Sequence, residues 1–246
     1  LVKKIFETVD KTLGFSLSHI ILNGPEAKLK MTQNTQPAIM AIGVSIFNVL
    51  KHHFDLNLSN AKFFAGHSLG EYTALVCAGS LSIDRAAYLL HERGKSMQNS
   101  VPDGQGAMLA ILGMTIKEVE QEINSITEKE KCEIANDNCN GQIVVSGKKA
   151  AIENLKENLR KKKKKGILLP VSAPFHCSLM KDASTKMKDK IEKTAFSKLK
   201  PSIISNVTAK EEVDIDRIKP LLIDQITTRV RWRESIEYMI NKGVTD

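Results

Sequence analysis

Gly66-His67-Ser68-Leu69-Gly70 sets a hydroxyl nucleophile between two glycines. Gly-x-Ser-x-Gly is the spacing of a nucleophile elbow, a sharp strand-to-helix turn that strains the serine backbone and lifts its hydroxyl above the sheet edge. Small residues are expected at both flanks of so tight a turn. A helix starting at the serine aims its positive end at the site, where it favours a developing oxyanion, and the amide of Leu69 is the natural donor. The chemistry this permits is covalent acyl transfer, or hydrolysis, through an acyl-serine. The flanks suit the motif. Residues 61–65 form a short apolar run with two Phe, as in a buried strand, and 72–78 are too apolar for a surface helix.

A serine nucleophile needs a base. The histidines are His19, His52, His53, His67, His91 and His176. His67 adjoins the serine, so its side chain points elsewhere. His52 and His53 sit at a helix end in polar company. His19 and His91 lie on apolar-periodic helices, where a satisfied structural role is expected. His176 stands in the loop Ser172-Ala173-Pro174-Phe175-His176 after a strand, and such loops present catalytic groups. The residues alone leave the choice open between His176 and the rest.

These groups need a scaffold. Val2, Ile5, Phe6 and Val9 mark an opening amphipathic helix. Gln36-Pro37 leads into a second, with Ile39, Ile42, Ile46 and Leu50 as its apolar stripe. Between 106 and 171 the rhythm changes. The readings are a strand at 107–112, a helix behind the Thr115-x-x-Glu118 capping box, strands at 132–135 and 142–146, a helix through Ile152, Leu155 and Leu159, and a strand at 167–171. This β-α-β-β-α-β order is the ferredoxin-like pattern, so a small domain is expected at 105–171. Beyond it, Ile191 marks a helix, 202–205 a strand, 218–226 a helix and 232–240 a final helix with Ile236, Met239 and Ile240 on one side.

A length of 246 residues with 42% apolar and 26% charged residues is ordinary for a globular chain. Four cysteines without a C-x-x-C pair read as free thiols, with zinc ligation the disfavoured alternative at this spacing. No run reaches the roughly 20 apolar residues of a membrane helix. Lys plus Arg number 36 against 28 Asp plus Glu, which favours acidic partners.

Taken in order, Gly66-His67-Ser68-Leu69-Gly70-Glu71-Tyr72, Arg93-Gly94-x-x-Met97-Gln98, Gly106-Ala107-Met108, Asn136-x-Asn138, Gly141-Gln142-x-Val144, Pro174-Phe175-His176 and Ser235-x-Glu237-Tyr238-Met239 resemble the malonyl-CoA:acyl carrier protein transacylase family of bacterial fatty acid synthesis. The resemblance spans nearly the whole chain. It implies an α/β fold: an α/β-hydrolase-like large domain at 1–104 and 172–246 with an inserted ferredoxin-like small domain at 105–171. The family's opening strand with Gly-Gln-Gly-Ser-Gln and its closing strand with Gly-Pro-Gly lie outside this sequence, so both ends of the large domain are expected to be truncated.

The resemblance also implies roles. Ser68 matches the acylated nucleophile and His176 its general base. Leu69 supplies an oxyanion amide. Arg93 matches the arginine that pairs with the malonyl carboxylate, for which a planar fork is suited; without the resemblance it would read as a helix-end cation beside Gly94. Asn138 lines the pocket. Gln225 matches the residue whose backbone carbonyl orients the histidine, in a stretch (227–232) that lacks the family's usual Asn-Pro. No metal or tightly held cofactor is implied. Malonyl-CoA is the substrate, acidic acyl carrier protein the transient partner, and nucleic acid and membrane are not partners. The implied enzyme is cytoplasmic and monomeric. A thioesterase on the same elbow, or an inactive carrier-binding module, is the competing reading. Phe175 resembles the malonyl-selective form over the methylmalonyl one.

Overall fold

Local rules account for how the chain begins. In α1 (Val2–Leu13) Ile5 and Val9 are buried, and the helix stops at Gly14, whose φ of 74° only glycine adopts freely. Two short helices, α2 (Leu17–Asn23) and α3 (Glu26–Lys30), lead to α4 (Thr32–His53). The computed structural model describes residues 1–54, 57–58, 61–126, 132–171 and 173–245 of this α/β protein. Ser172, read as the start of the histidine loop, lies outside the described residues. The chain divides into two compact units. One comprises Leu1–Ser96, Met187–Ser205 and Lys210–Pro220; the other comprises Met97–Lys186, Asn206–Ala209 and Leu221–Asp246.

In the first unit, β1 (Phe63–Phe64) pairs in parallel with β6 (Ser202–Ile204), which pairs antiparallel with β7 (Glu211–Glu212). The turn after β1 enters α5 (Leu69–Cys77), and α6 (Ile83–Gln98) follows. Helix α4 departs from its expected form in two ways. It starts at Thr32, five residues before Pro37, which it carries inside. Its buried side holds Ala38, Met40, Ala41, Val44 and Ser45, while the expected stripe of Ile39, Ile42, Ile46 and Leu50 is exposed. Small residues explain the choice: Gly43 packs so closely on Thr73 of α5 that an added Cβ would come within 3.2 Å of its methyl. Close approach selected the face with the smaller side chains.

In the second unit the elements run β2 (Gly106–Leu112), α7 (Ile116–Asn124), β3 (Cys132–Cys139), β4 (Gln142–Lys148), α8 (Lys149–Lys161) and β5 (Lys165–Leu168). The sheet order is β3-β4-β2-β5, every pair antiparallel. Alternation along β2 sends Leu109 and Ile111 into a core with Val119, Ile152, Leu155 and Leu159, while Met108 and Ala110 face the other way toward Ala135 and Val144. The Thr115–Glu118 capping box forms with both reciprocal bonds. Strand β3 is longer than expected, so the polar loop shrinks to Asn140-Gly141, with Gly141 at φ 80°. Strand β5 begins at Lys165, two residues before the expected 167, and ends at Leu168, short of the expected 171.

The unit also holds parts of α9 (Lys181–Lys193) and α10 (Ile215–Asp224), and α11 (Trp232–Asn241). Within α11, Ser235 is buried while Ile236 and Ile240 are exposed, the reverse of the expected face. Ser235 Oγ donates to the Arg231 carbonyl at 2.8 Å, which satisfies the buried hydroxyl. No helix of the described residues is long and apolar enough to cross a membrane.

Candidate active site

Ser68 stands at the N-cap of α5 with φ 54° and ψ −109°, a conformation L-residues rarely adopt. Gly66 makes it possible. A Cβ built there would lie 1.9 Å from the Gly70 carbonyl oxygen, so only glycine fits. Gly70 is under no such demand, because a Cβ there meets nothing within 4 Å. The expectation of small residues at both flanks holds for one flank only. The Gly70 and Glu71 amides donate to the carbonyls of His67 and Ser68 at 2.9 and 3.1 Å. The half-buried Leu69 amide heads the helix, where first-turn N–H groups lack intrahelical acceptors.

Arg93 comes to this serine. Its Nη2 donates to Ser68 Oγ at 3.1 Å and its Nη1 to Gln36 Oε1 at 2.7 Å. The guanidinium lies 5.9 Å from the centre of the Tyr72 ring, within cation–π range. Arg93 is 1% exposed, so it is no helix-end cation. It stands inside α6, and Gly94 does not terminate that helix. Gly94 instead permits close packing: a Cβ there would lie 2.5 Å from the Gln33 Cα on α4. Burial pulls the Arg93 pKa below its ordinary value, with Tyr72 and Glu71 opposing that shift. The Tyr72 phenol is itself pushed up to about 12, mainly by burial, and stays neutral.

In the second unit His176 has φ 58° and is 5% exposed. Its Nδ1 meets the Gln225 carbonyl oxygen at 2.8 Å. Since a carbonyl only accepts, the proton is on Nδ1 and Nε2 is left as the basic nitrogen. Gln225 follows the last residue of α10, where carbonyls run out of helical donors and become available to a side chain. The stretch without Asn-Pro is firmly tied. Thr227 N and Thr228 Oγ1 donate to the Asp224 carbonyl at 3.0 and 2.9 Å, Val230 N to Ala135 O at 2.8 Å, and Arg231 N to Asn206 O at 3.0 Å. Asn138 lies half-buried near the end of β3, in the same unit.

The structure therefore unites Ser68 with Arg93, and His176 with Gln225. Of four non-glycine residues with positive φ among the described residues, two are Ser68 and His176. Gln36 and Tyr72 were missed as partners of Arg93. Gln36 carried a signal, an amide beside a helical proline, but nothing in its neighbours pointed to residue 93. Two of the other histidines take structural roles. His91 Nδ1 bonds the Gln33 carbonyl at 2.9 Å, as expected of a structural histidine. His19 is exposed and bonded to Asn23 at 3.2 Å, a satisfied structural role at the surface. Among the described residues no group of three or more His, Cys, Asp or Glu is placed to hold a metal ion.

Residues 2–237 match the family model described as the acyl transferase domain. The chain is 40% identical over 246 residues to the malonyl CoA-acyl carrier protein transacylase of Bacillus subtilis, covering 99% of this chain and 76% of that one. Its fold is similar to that of an acyl-carrier-protein-S-malonyltransferase from Bartonella henselae, with TM-score 0.94, 43% identity and coverage of 99% and 78%. It is also similar, with TM-score 0.93, 34% identity and coverage of 99% and 78%, to a malonyl-transacylase solved in complex with its type II PKS acyl-carrier protein.

Proposed function

We propose, for a chain that belongs to the malonyl CoA-acyl carrier protein transacylases of the acyl transferase family, that Ser68 carries the malonyl group and His176 serves it as general base. The reaction moves malonyl from coenzyme A to acyl carrier protein. The observation that carries the site reading is the strained Ser68 with the buried Arg93 donating to its hydroxyl.

The steps follow from the groups. His176, its Nδ1–H committed to Gln225, takes the Ser68 proton on Nε2. Ser68 Oγ attacks the thioester carbon, and the Leu69 amide donates to the oxyanion. The C–S bond breaks, coenzyme A leaves as its thiol with the proton from His176, and malonyl-serine remains. Arg93 pairs with the free carboxylate of the acyl group, where a planar two-donor fork is suited and a neutral acyl group gains nothing. The phosphopantetheine thiol of the carrier protein then attacks, His176 acting as base again, and serine is released. These steps require no metal and no tightly held cofactor. Asn138 lines the acyl pocket.

We read the architecture as an α/β-hydrolase-like large domain, 1–104 and 172–246, bearing a ferredoxin-like small domain at 105–171. What supports this is the order β2-α7-β3-β4-α8-β5 and the antiparallel sheet order β3-β4-β2-β5. The enzyme is taken to act as a cytoplasmic monomer that meets its acidic carrier transiently.

Intact-mass spectrometry tests the assignment. Mixing with malonyl-CoA should add one malonyl mass to the parent and nothing to Ser68→Ala. A pantetheine thiol should discharge the adduct much faster than water does. An adduct on Ser68→Ala removes the nucleophile assignment, and discharge by water at the thiol rate makes the protein a thioesterase.

A further inference from the structure

Pro37 lies within α4 and has no amide hydrogen, so the Gln33 carbonyl one turn earlier has no helical donor. His91 on α6 fills that place, donating from Nδ1 at 2.9 Å, and its ring tilts against Phe15 at 5.7 Å. One turn along α6, Gly94 brings the two backbones together at the same Gln33. Between these two contacts α6 carries Arg93. Three residues beyond Gln33, α4 carries Gln36, whose Nε2 donates to Thr32 Oγ1 at 3.1 Å. That bond turns the Gln36 carbonyl oxygen toward Arg93, which reaches it at 2.7 Å and Ser68 at 3.1 Å.

We infer that His91 is a positioning residue for acyl selectivity: by capping the carbonyl that Pro37 leaves without a donor, it locks α6 to α4 and sets where the Arg93 guanidinium sits. This rests on the reading of Arg93 as the partner of the acyl carboxylate. Without the His91 bond the Gln33 carbonyl is left to draw water into the helix junction, and the Arg93–Gln36 contact is no longer held in register.

The test compares kcat/KM for malonyl-CoA and acetyl-CoA in the parent, His91→Phe, Pro37→Ala, Pro37→Ala with His91→Phe, and Arg93→Ala. Phe keeps a ring against Phe15 and removes only the donor. His91→Phe should lower the malonyl value about tenfold, the scale of one lost hydrogen bond, with little change for acetyl. Pro37→Ala restores an amide donor to the Gln33 carbonyl, so adding His91→Phe to that variant should cost nothing further. An unchanged malonyl-to-acetyl ratio in His91→Phe, an equal loss for both substrates, or an undiminished loss in the Pro37→Ala background overturns the inference. Arg93→Ala separates the two claims. If it too leaves the ratio at the parental value, the reading of Arg93 falls; if it alone shifts the ratio, that reading stands and the role of His91 falls.

Discussion

Arg93, 25 residues beyond Ser68 in the sequence, places its Nη2 3.1 Å from the serine hydroxyl oxygen. A buried cation that already donates to the nucleophile is positioned to bind a charged group attached to it.

Arg93→Ala should shift preference from malonyl-CoA toward acetyl-CoA. Removing one partner of a desolvated bidentate pair costs about 2–5 kcal/mol for the charged substrate and little for a neutral one. Steady-state kinetics with both thioesters measures this. Equal losses would make Arg93 a structural residue.

The two elbow glycines should respond differently. In Gly66→Ala the new methyl overlaps the Gly70 carbonyl oxygen, 1.9 Å away, so stability should fall by about 1–3 kcal/mol or more and serine acylation should disappear. Gly70→Ala meets open space inside α5 and should hold or raise Tm, since alanine is favoured in helices by up to about 1 kcal/mol. Thermal melts of both variants check the contrast, which is lost if they melt alike.

Burial pushes the Cys177 thiol up to about 11 and that of Cys77 up to about 12. A raised thiol pKa makes thiolate scarce below it, so at pH 8 each is ionised in less than about one molecule in 1,000. Brief iodoacetamide treatment of the native protein at that pH should label exposed Cys139 and spare both. Peptide mapping that finds Cys177 modified as fast as Cys139 contradicts this.

The run from Arg160 to Lys165 is less free than its letters suggest. Arg160 pairs with Glu157 at 2.8 Å, Lys162 with Glu122 at 2.7 Å and Lys164 with Glu118 at 3.8 Å. Lys161, the last residue of α8, and Lys163, in the turn that follows, are exposed. Replacing these two with Gln should raise the apparent KM for an acidic carrier about threefold at low salt, with the difference shrinking as salt screens the encounter. The half-reaction with malonyl-CoA should not change. Unaltered carrier kinetics at low salt would make the run solvated surface.

Much of this was legible in the sequence because it is decided over a few residues. A Cβ at Gly66 would clash with a partner four positions away, the Thr115–Glu118 box closes across three, and β2 declares its two faces by alternation. What the sequence could not rank were competing partners far along the chain. Helix α4 has two apolar faces, and periodicity treats them alike; only packing against α5 made the smaller one the core. Arg93 beside a glycine reads locally as a helix end, yet α6 continues to Gln98 because that glycine is needed for contact with Gln33. Five other histidines matched His176 in residue type. His176 and His91 each bond a backbone carbonyl far along the chain, of Gln225 and of Gln33, and a backbone atom leaves no mark in the residue's letter. Local sterics can be read from neighbouring residues, whereas the choice among equivalent faces, cations and imidazoles is made by close packing and long-range hydrogen bonds, which exist only once the chain has folded.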